Sequence, residues 1–140
     1  MRVLIGRNEF SAQKLYDVYS AAFMNPEMDE DGDVKVVIDG YKVFGRVRPD
    51  RPFLALSAMF GIKEYADRMQ MLELCNRFND RLVMVRACIP DGSPRPGIYF
   101  DHYTITEGGI TGEEIVALTR RFIKIVADGI RQFDTDDIIT

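Results

Sequence analysis

The chain has 140 residues, of which 46% are hydrophobic and 29% are charged, a composition typical of one globular domain with a substantial core. Its 22 acidic and 18 basic side chains give a net charge of −4, which would repel a phosphate backbone, so nucleic acid is not an expected partner. The opening MRVLIG is too short for a signal sequence or a membrane span, so we expect a cytoplasmic protein with no membrane partner.

The first predicted elements are a helix and a β-hairpin. FSAQKLYDVYSAAF repeats apolar side chains at helical spacing, with Ser11 as the N-cap and with Phe10 and Leu15 as a hydrophobic staple. DVKVVID and YKVFGRV alternate with a period of two around Asp39 and Gly40, a pair typical of hairpin turns. RPDRP then turns the chain into a third strand, FLALSAMF.

The second half of the sequence predicts two more helices and two more strands. A helix from about Lys63 to Arg81 is followed by the strands VMVRACI and IYFDHYTIT, which the loop PDGSPRPG joins. TGEE, beginning at Thr111, fits a capping box, and apolar residues repeat at helical spacing from Ile115 to Phe133.

The element order α-β-β-β-α-β-β-α has short links between strands and one helical crossover. It therefore predicts an α+β fold, a mostly antiparallel five-stranded sheet with helices packed on it. We expect a single domain whose core spans about residues 10–133, followed by an acidic tail, residues 134–140, that frays.

The acidic segment DEDGD, Asp29 to Asp33, suggests a calcium loop because its carboxylates alternate around a glycine. Counted from Asp29, however, the sixth position is Val34 instead of glycine and the twelfth is Gly40 instead of glutamate. We interpret the segment as an acidic turn that precedes the first strand, and we expect no metal site and no cofactor.

The single histidine, His102, lies on a predicted strand, where it is either a general base acting with Asp101 or Tyr103 or a structural residue. The structural interpretation is favoured because no serine or cysteine nucleophile lies in a recognisable local arrangement. Cys75 and Cys88 have no metal-binding spacing, and we expect both to be reduced thiols.

Two further clusters have both a structural and an anion-binding interpretation. Gly108 and Gly109 precede a helix that Thr111 already caps, which favours a tight turn over an anion site. Arg46, Arg48 and Arg51 fit either a solvated edge or a site for an acidic partner or phosphate. The edge interpretation is favoured because the arginines are spread over a strand end and a turn.

The segment LELCNRFNDRL places two asparagines, Asn76 and Asn79, on one face of the predicted helix, beside its apolar residues. A buried amide needs hydrogen-bond partners, and the backbone at the helix end or at the edge of the next strand would supply them. We therefore interpret the pair as a helix-to-strand clamp, with a ligand-binding amide as the alternative.

LCNRFN, the acidic-glycine turn before VKVVIDGYKV, and TITEGGITGEEI together resemble the YbjN family of proposed bacterial sensory-transduction regulators, over about residues 10–133. The resemblance implies a fold similar to type III secretion chaperones, which are small dimeric proteins that hold other proteins, with no established enzymatic activity. The positions that match the family motifs are carried over as structural motif positions: Asn76, Asn79, Gly108, Gly109 and Thr111. The proline-rich loop PDGSPRPG departs from the tight acidic turn expected of the family.

Strand alternation predicts a mixed apolar and basic sheet face, and the central helix is apolar over more than one stripe. The residues expected to form a partner or dimer surface are Phe44, Arg46, Met59, Met69, Met84 and Arg86. The leading hypothesis is a non-enzymatic protein-binding domain, chaperone-like or regulatory, that acts as a homodimer and docks on another protein. The alternative is a small enzyme or small-ligand-binding protein with a site near His102.

Overall fold

The computed structural model describes residues 3–140, so the first two residues of MRVLIG lie outside the described part of the chain. The elements occur in the order β1 (Leu4–Ile5), a short 3-10 turn (Arg7–Glu9), α1 (Ala12–Ala21), β2 (Glu27–Met28), β3 (Val34–Ile38), β4 (Tyr41–Val47), β5 (Phe53–Gly61), α2 (Arg68–Arg81), β6 (Arg86–Cys88), β7 (Gly97–Ile105), β8 (Ile110–Thr111) and α3 (Gly112–Phe133).

The main sheet has the strand order β2-β3-β4-β5-β7-β6, and the pairings β2–β3, β3–β4 and β6–β7 are antiparallel. The predicted α+β fold with a mostly antiparallel sheet is confirmed, but the sheet has six strands instead of five. The additional strand, β2, has only two residues, too few to produce a period-two pattern in the sequence. A separate two-stranded ladder joins β1 to β8.

By its internal contacts the chain divides into two compact units. The first contains the described residues up to Leu56 together with Tyr103–Ile123, and the second contains Ser57–His102 together with Lys124–Thr140.

In the first unit, α1 packs on one face of β3 and β4. The Ser11 hydroxyl accepts a hydrogen bond from the Lys14 backbone N–H at 3.1 Å, which confirms the predicted N-cap. Asp39 and Gly40 both have positive φ, 51° and 84°, as a two-residue hairpin turn requires. Alternation then directs Val34, Val36 and Val43 of the hairpin toward the helix, where they are fully buried.

In the second unit, α2 begins at Arg68, five residues later than the predicted Lys63. Asp67 fixes this start: its carboxylate accepts from the Gln70 N–H at 2.8 Å, while the Gln70 side chain accepts from the Asp67 N–H at 3.0 Å. The preceding residues form a turn in which the Ala66 N–H donates to the Lys63 carbonyl. The sequence places Tyr65 within the predicted helix, whereas in the structure Tyr65 lies before the helix begins.

The core of the second unit is built from aromatic side chains. Phe100 packs against Phe78 with 4.9 Å between ring centroids and against Phe60 with 5.6 Å. Gly129 of α3 lies so close to α2 that a Cβ at that position would be 2.8 Å from Leu82 Cδ1. The glycine therefore permits the two helices to approach each other at the Phe78 ring.

The C-terminal segment, residues 134–140, was expected to fray, and that expectation is wrong. The Asp134 carboxylate accepts hydrogen bonds from the backbone N–H groups of Ile138 at 2.9 Å and Ile139 at 3.0 Å. Both isoleucines are buried, and Ile139 forms a β-bridge with Ile62. Its acidic composition suggested a disordered end, whereas Asp134 turns the chain back and the isoleucines anchor it.

Candidate functional site

One face of the sheet in the first unit exposes a group of apolar side chains that we call the outer patch. Its members alternate with buried or half-buried residues along β3, β4, β5 and β7 and are Val37, Phe44, Phe53, Tyr103 and Ile105. Tyr103 and Phe53 stack edge to face with 5.1 Å between ring centroids. Ile105 is 76% exposed and Tyr103 51% exposed, so the patch presents both aliphatic and aromatic surface to solvent.

Two predicted surface residues belong to the first unit, on β4. Phe44 lies within the outer patch, where it is half-buried and paired in register with Lys35 of β3. Arg46 lies two residues further on the same face, and its guanidinium binds both oxygens of the Asp33 carboxylate at 2.7 and 2.8 Å. The hairpin therefore brings an apolar and a basic predicted residue together.

Three predicted surface residues belong to the second unit: Met59 on β5, Arg86 on β6 and Met84 in the bend before β6. Met59 and Met84 are about half exposed, and Met84 has a positive φ of 74° just before β6. Arg86 binds both oxygens of the Asp101 carboxylate across β6 and β7, at 3.0 and 2.7 Å. This ion pair shields a carboxylate that is only 3% exposed.

The sixth predicted surface residue, Met69, lies on α2, away from the sheet. The side of α2 that packs inward carries Met71, Leu74 and Phe78, whereas Met69 and Leu72 lie on the exposed side. Tyr65, just before the helix, is also exposed, and its hydroxyl donates to the Asp137 carbonyl. We call the exposed Tyr65, Met69 and Leu72 the helix stripe.

At the alternative site near His102, the histidine ring contacts the backbone of a neighbouring segment. The His102 side chain is half-buried, and its Nδ1 lies 2.6 Å from the Met84 carbonyl oxygen, which fixes the ring against the chain before β6. Asp101 points to the opposite face of β7, where Arg86 binds it. His102 and Asp101 are therefore not brought together on one side of the strand.

Asn79 forms the predicted helix-to-strand clamp. Its side-chain N–H donates to the Ala87 carbonyl at 3.0 Å, and its side-chain oxygen accepts from the Ala87 N–H at 2.8 Å. β6 is the last strand of the sheet, so the Asn79 amide occupies the place of a further strand at that residue. Asn76 lies on the exposed surface of the helix and takes no part in the clamp.

The glycine pair before α3 forms a turn, as predicted. The Gly109 N–H donates to the Thr106 carbonyl at 2.9 Å, and Gly109 has a φ of 90°, which glycine adopts without strain. Thr111 then accepts from the Glu114 N–H at 3.1 Å through its hydroxyl, which confirms it as the cap of the helix. Gly109 and Thr111 therefore take part in the turn and in the start of α3, and Gly108 lies within the turn.

Sequence reasoning missed a buried polar pair between α1 and α3 in the first unit. The hydroxyls of Tyr19 and Thr119 lie 2.7 Å apart, and Thr119 also donates to the Ile115 carbonyl at 2.8 Å. Burial raises the pKa of Tyr19 to about 12, against the smaller lowering effect of the Thr119 hydrogen bond. Tyr19 looked like an ordinary member of an apolar stripe, so the sequence carried no signal for its partner.

Both cysteines of the second unit are free thiols, as predicted. Burial raises the pKa of Cys75 to about 11, and the neighbouring Cys88 raises it further. Burial also raises the pKa of Cys88, an effect that Arg86 opposes and Asp101 reinforces. Both thiols are therefore protonated at neutral pH, which disfavours a nucleophilic role.

The acidic segment forms a turn closed by its own carboxylate. Asp29 accepts from the backbone N–H groups of Asp31 and Asp33, both at 2.9 Å. Across residues 3–140, no group of three or more histidine, cysteine or acidic side chains is arranged to hold a metal ion. Within the same residues, no helix has both the length and the apolar character needed to cross a bilayer.

Two cavities among the described residues of the first unit bear on the predicted sites. One, of about 770 Å³, is lined by Arg46, Arg48 and Arg51, the arginines that were considered as a phosphate site. The other, of about 630 Å³, lies along α1 and the start of α3, with Val18 and Val116 in its wall. His102 lines neither of them.

Comparison with known proteins identifies the family. Residues 11–135 match the family model of YbjN, described as "Putative bacterial sensory transduction regulator". The matching solved structures include the crystal structure of YbjN from E. coli, described as "a putative transcription regulator", with a TM-score of 0.77 and 14% sequence identity over 94% of this chain and 96% of that chain. No curated protein is similar enough to count as a match. The structural likeness concerns the fold, and the family match extends over most of the sequence: the chain belongs to the YbjN family.

Proposed function

We propose that this chain is a non-enzymatic, cytoplasmic protein-binding domain, regulatory or chaperone-like, that acts as a homodimer and docks on another protein through the outer patch. The observation that carries the proposal is the exposure of Ile105 and Tyr103, stacked beside Phe53, on a sheet face. Exposed apolar side chains that cluster in this way are typical of interaction sites, and aromatic residues are enriched at their centres.

The family description supports a regulatory role, and the charge of the chain favours protein contacts over DNA contacts. A net charge of −4 opposes binding to a phosphate backbone, so we expect a regulator of this kind to act on a protein partner. A type III secretion chaperone-like activity, which would also hold another protein, is consistent with the same surface.

The helix stripe of the second unit supports the homodimer. Met69 is 62% exposed and Leu72 44% exposed, whereas an isolated surface helix would place charged residues at such positions. Methionine adapts its shape readily to a facing surface. A second copy of the chain packed on this stripe would remove its apolar side chains from solvent.

The docking proposal is tested by affinity capture from lysate of the source cells, with the bound proteins identified by mass spectrometry. Ile105→Glu places a charge at the most exposed position of the outer patch, and we expect it to abolish capture of a discrete partner. Phe23→Glu is the matched control, because Phe23 is 90% exposed but lies after α1, outside the patch. Both variants must retain the wild-type circular dichroism spectrum. Equal capture by Ile105→Glu and the wild type would refute this placement of the docking surface.

A further inference from the structure

The cavity of about 770 Å³ in the first unit has several arginines in its wall, although the chain is acidic overall. Four arginines line it, Arg7, Arg46, Arg48 and Arg51, against two acidic residues, Asp31 and Asp33. The first turn of α1 also reaches the cavity through Ser11 and Ala12, so the positive end of a helix dipole adds to the arginine charge. The side chains that line the cavity therefore carry a net positive charge, whereas the net charge of the whole chain is negative.

The arginines differ in whether a carboxylate already accepts hydrogen bonds from their guanidinium groups. Arg46 binds Asp33 with two hydrogen bonds, and Arg7 binds Glu107 at 3.2 Å. Arg51 is 3.9 Å from Asp50, too far for a hydrogen bond, and no carboxylate among the described residues forms an ion pair with Arg48. Arg48 and Arg51 therefore keep donors available at the cavity wall.

The backbone places these two arginines near each other. Arg48 follows the end of β4, and the Arg51 N–H donates to the Arg48 carbonyl at 3.2 Å, closing a turn that brings the chain back on itself. Pro49, inside the turn, restricts its backbone. The turn thus places both arginines at the cavity wall. Each guanidinium group can donate two parallel hydrogen bonds, a geometry that matches the oxygens of a phosphate group.

The rest of the cavity wall is mixed: Phe10 and Val47 supply apolar surface, beside polar side chains such as Asn8 and Thr106. A volume of about 770 Å³ lies in the range of small-molecule sites. We propose that this cavity binds a small organic phosphate, with Arg48 and Arg51 binding the phosphate group and the side chains of Phe10 and Val47 contacting the organic part. The proposal is independent of the docking proposal, since it concerns a different group of residues.

The test is a titration of ¹⁵N-labelled full-length protein with phenyl phosphate, monitored by amide chemical shifts, at constant ionic strength. We expect saturable shifts at residues that line the cavity, and weaker binding of inorganic phosphate, which lacks the apolar part. The double variant Arg48→Ala/Arg51→Ala should weaken the affinity for phenyl phosphate by about tenfold or more, because it removes charge-assisted hydrogen bonds.

The control is Arg95→Ala/Arg121→Ala, which removes the same charge from exposed positions outside the cavity and should leave the affinity unchanged. All four arginines of the two variants are exposed, so loss of the fold is not expected. Absence of saturable shifts in the wild type, or an equal loss of affinity in the two double variants, would overturn the proposal.

Discussion

At the residue scale, Asn79 shows how a single side chain closes the edge of a sheet. An amide group resembles a peptide unit, and here it pairs with the backbone of Ala87 through one donated and one accepted hydrogen bond. The strand edge at that point is satisfied without a neighbouring strand, which reduces the risk of pairing with another chain.

Asn79→Ala leaves the N–H and the carbonyl of Ala87 without these partners, and we expect the free energy of unfolding to fall by about 1–3 kcal/mol. Asn76→Ala is the matched control on the same helix, with an expected change within about 0.5 kcal/mol. Urea unfolding followed by circular dichroism measures both values. Similar losses in the two variants would show that the amide of Asn79 has no special role.

Tyr19 makes stability depend on pH in the alkaline range. Its pKa rises from an ordinary value of 10.0 to about 12 in the folded protein, so the unfolded chain loses the phenolic proton first. The stabilisation by the buried neutral phenol is therefore complete below pH 10 and is lost as the pH rises toward 12.

In Tyr19→Phe we expect the free energy of unfolding to be lower by about 1 kcal/mol at neutral pH, because the hydrogen bond to Thr119 is lost. Above pH 10 the wild type should lose stability more steeply than the variant, since only the wild type carries the phenol. Urea unfolding across this pH range measures the two slopes, and the thiols contribute equally to both proteins. Parallel slopes would contradict the assigned burial of the phenol.

At the element scale, the long segments with clear caps could be predicted from the sequence, and the short ones could not. Ser11 and Thr111 are capping residues that can be recognised in the sequence, and each caps the start of its helix in the structure. The start of α2 was misplaced because apolar spacing continues ahead of Asp67, whereas the reciprocal Asp67–Gln70 cap decides the boundary. The Phe53–Tyr103 contact could not be predicted, because it depends on the order of strands in the sheet.

Because Gly129 has no side chain, α3 can pack closely against α2 at this position. Gly129→Ala would place a methyl group against Phe78 and Leu82, and we expect the free energy of unfolding to fall by about 1–3 kcal/mol through overpacking. Gly112→Ala, at the start of the same helix, meets only ordinary contacts with Val18 and should be neutral or slightly stabilising. Thermal unfolding of both variants tests the difference. A stable Gly129→Ala protein would mean that the helices separate without cost.

The C-terminal segment is held by one carboxylate and two buried isoleucines. Asp134→Ala removes the acceptor for the N–H groups of Ile138 and Ile139, so their amide hydrogen exchange should become faster by roughly tenfold, as for the loss of a helix cap. Asp136→Ala, an exposed acidic neighbour, is the control and should leave these rates unchanged. Unaltered exchange in Asp134→Ala would show that burial alone holds the segment.

At the scale of the whole molecule, the two exposed apolar surfaces have different proposed binding partners. The helix stripe is proposed to pair two copies of the chain, and the outer patch to bind the partner. Leu72→Glu should therefore shift the protein from dimer to monomer in sedimentation equilibrium, whereas Phe23→Glu should leave the dimer intact. A wild-type chain that sediments as a monomer would refute the homodimer without affecting the docking proposal.

Photo-crosslinking in the source cells would show directly whether the outer patch is the docking surface. A photoreactive phenylalanine analogue is placed at Ile105 in one protein and at Phe23 in the other, and the adducts are identified by mass spectrometry. We expect a discrete adduct with another protein from position 105 and none from position 23. If position 105 forms no adduct while the protein is folded and expressed, or if both positions give the same products, the outer patch is not the docking surface.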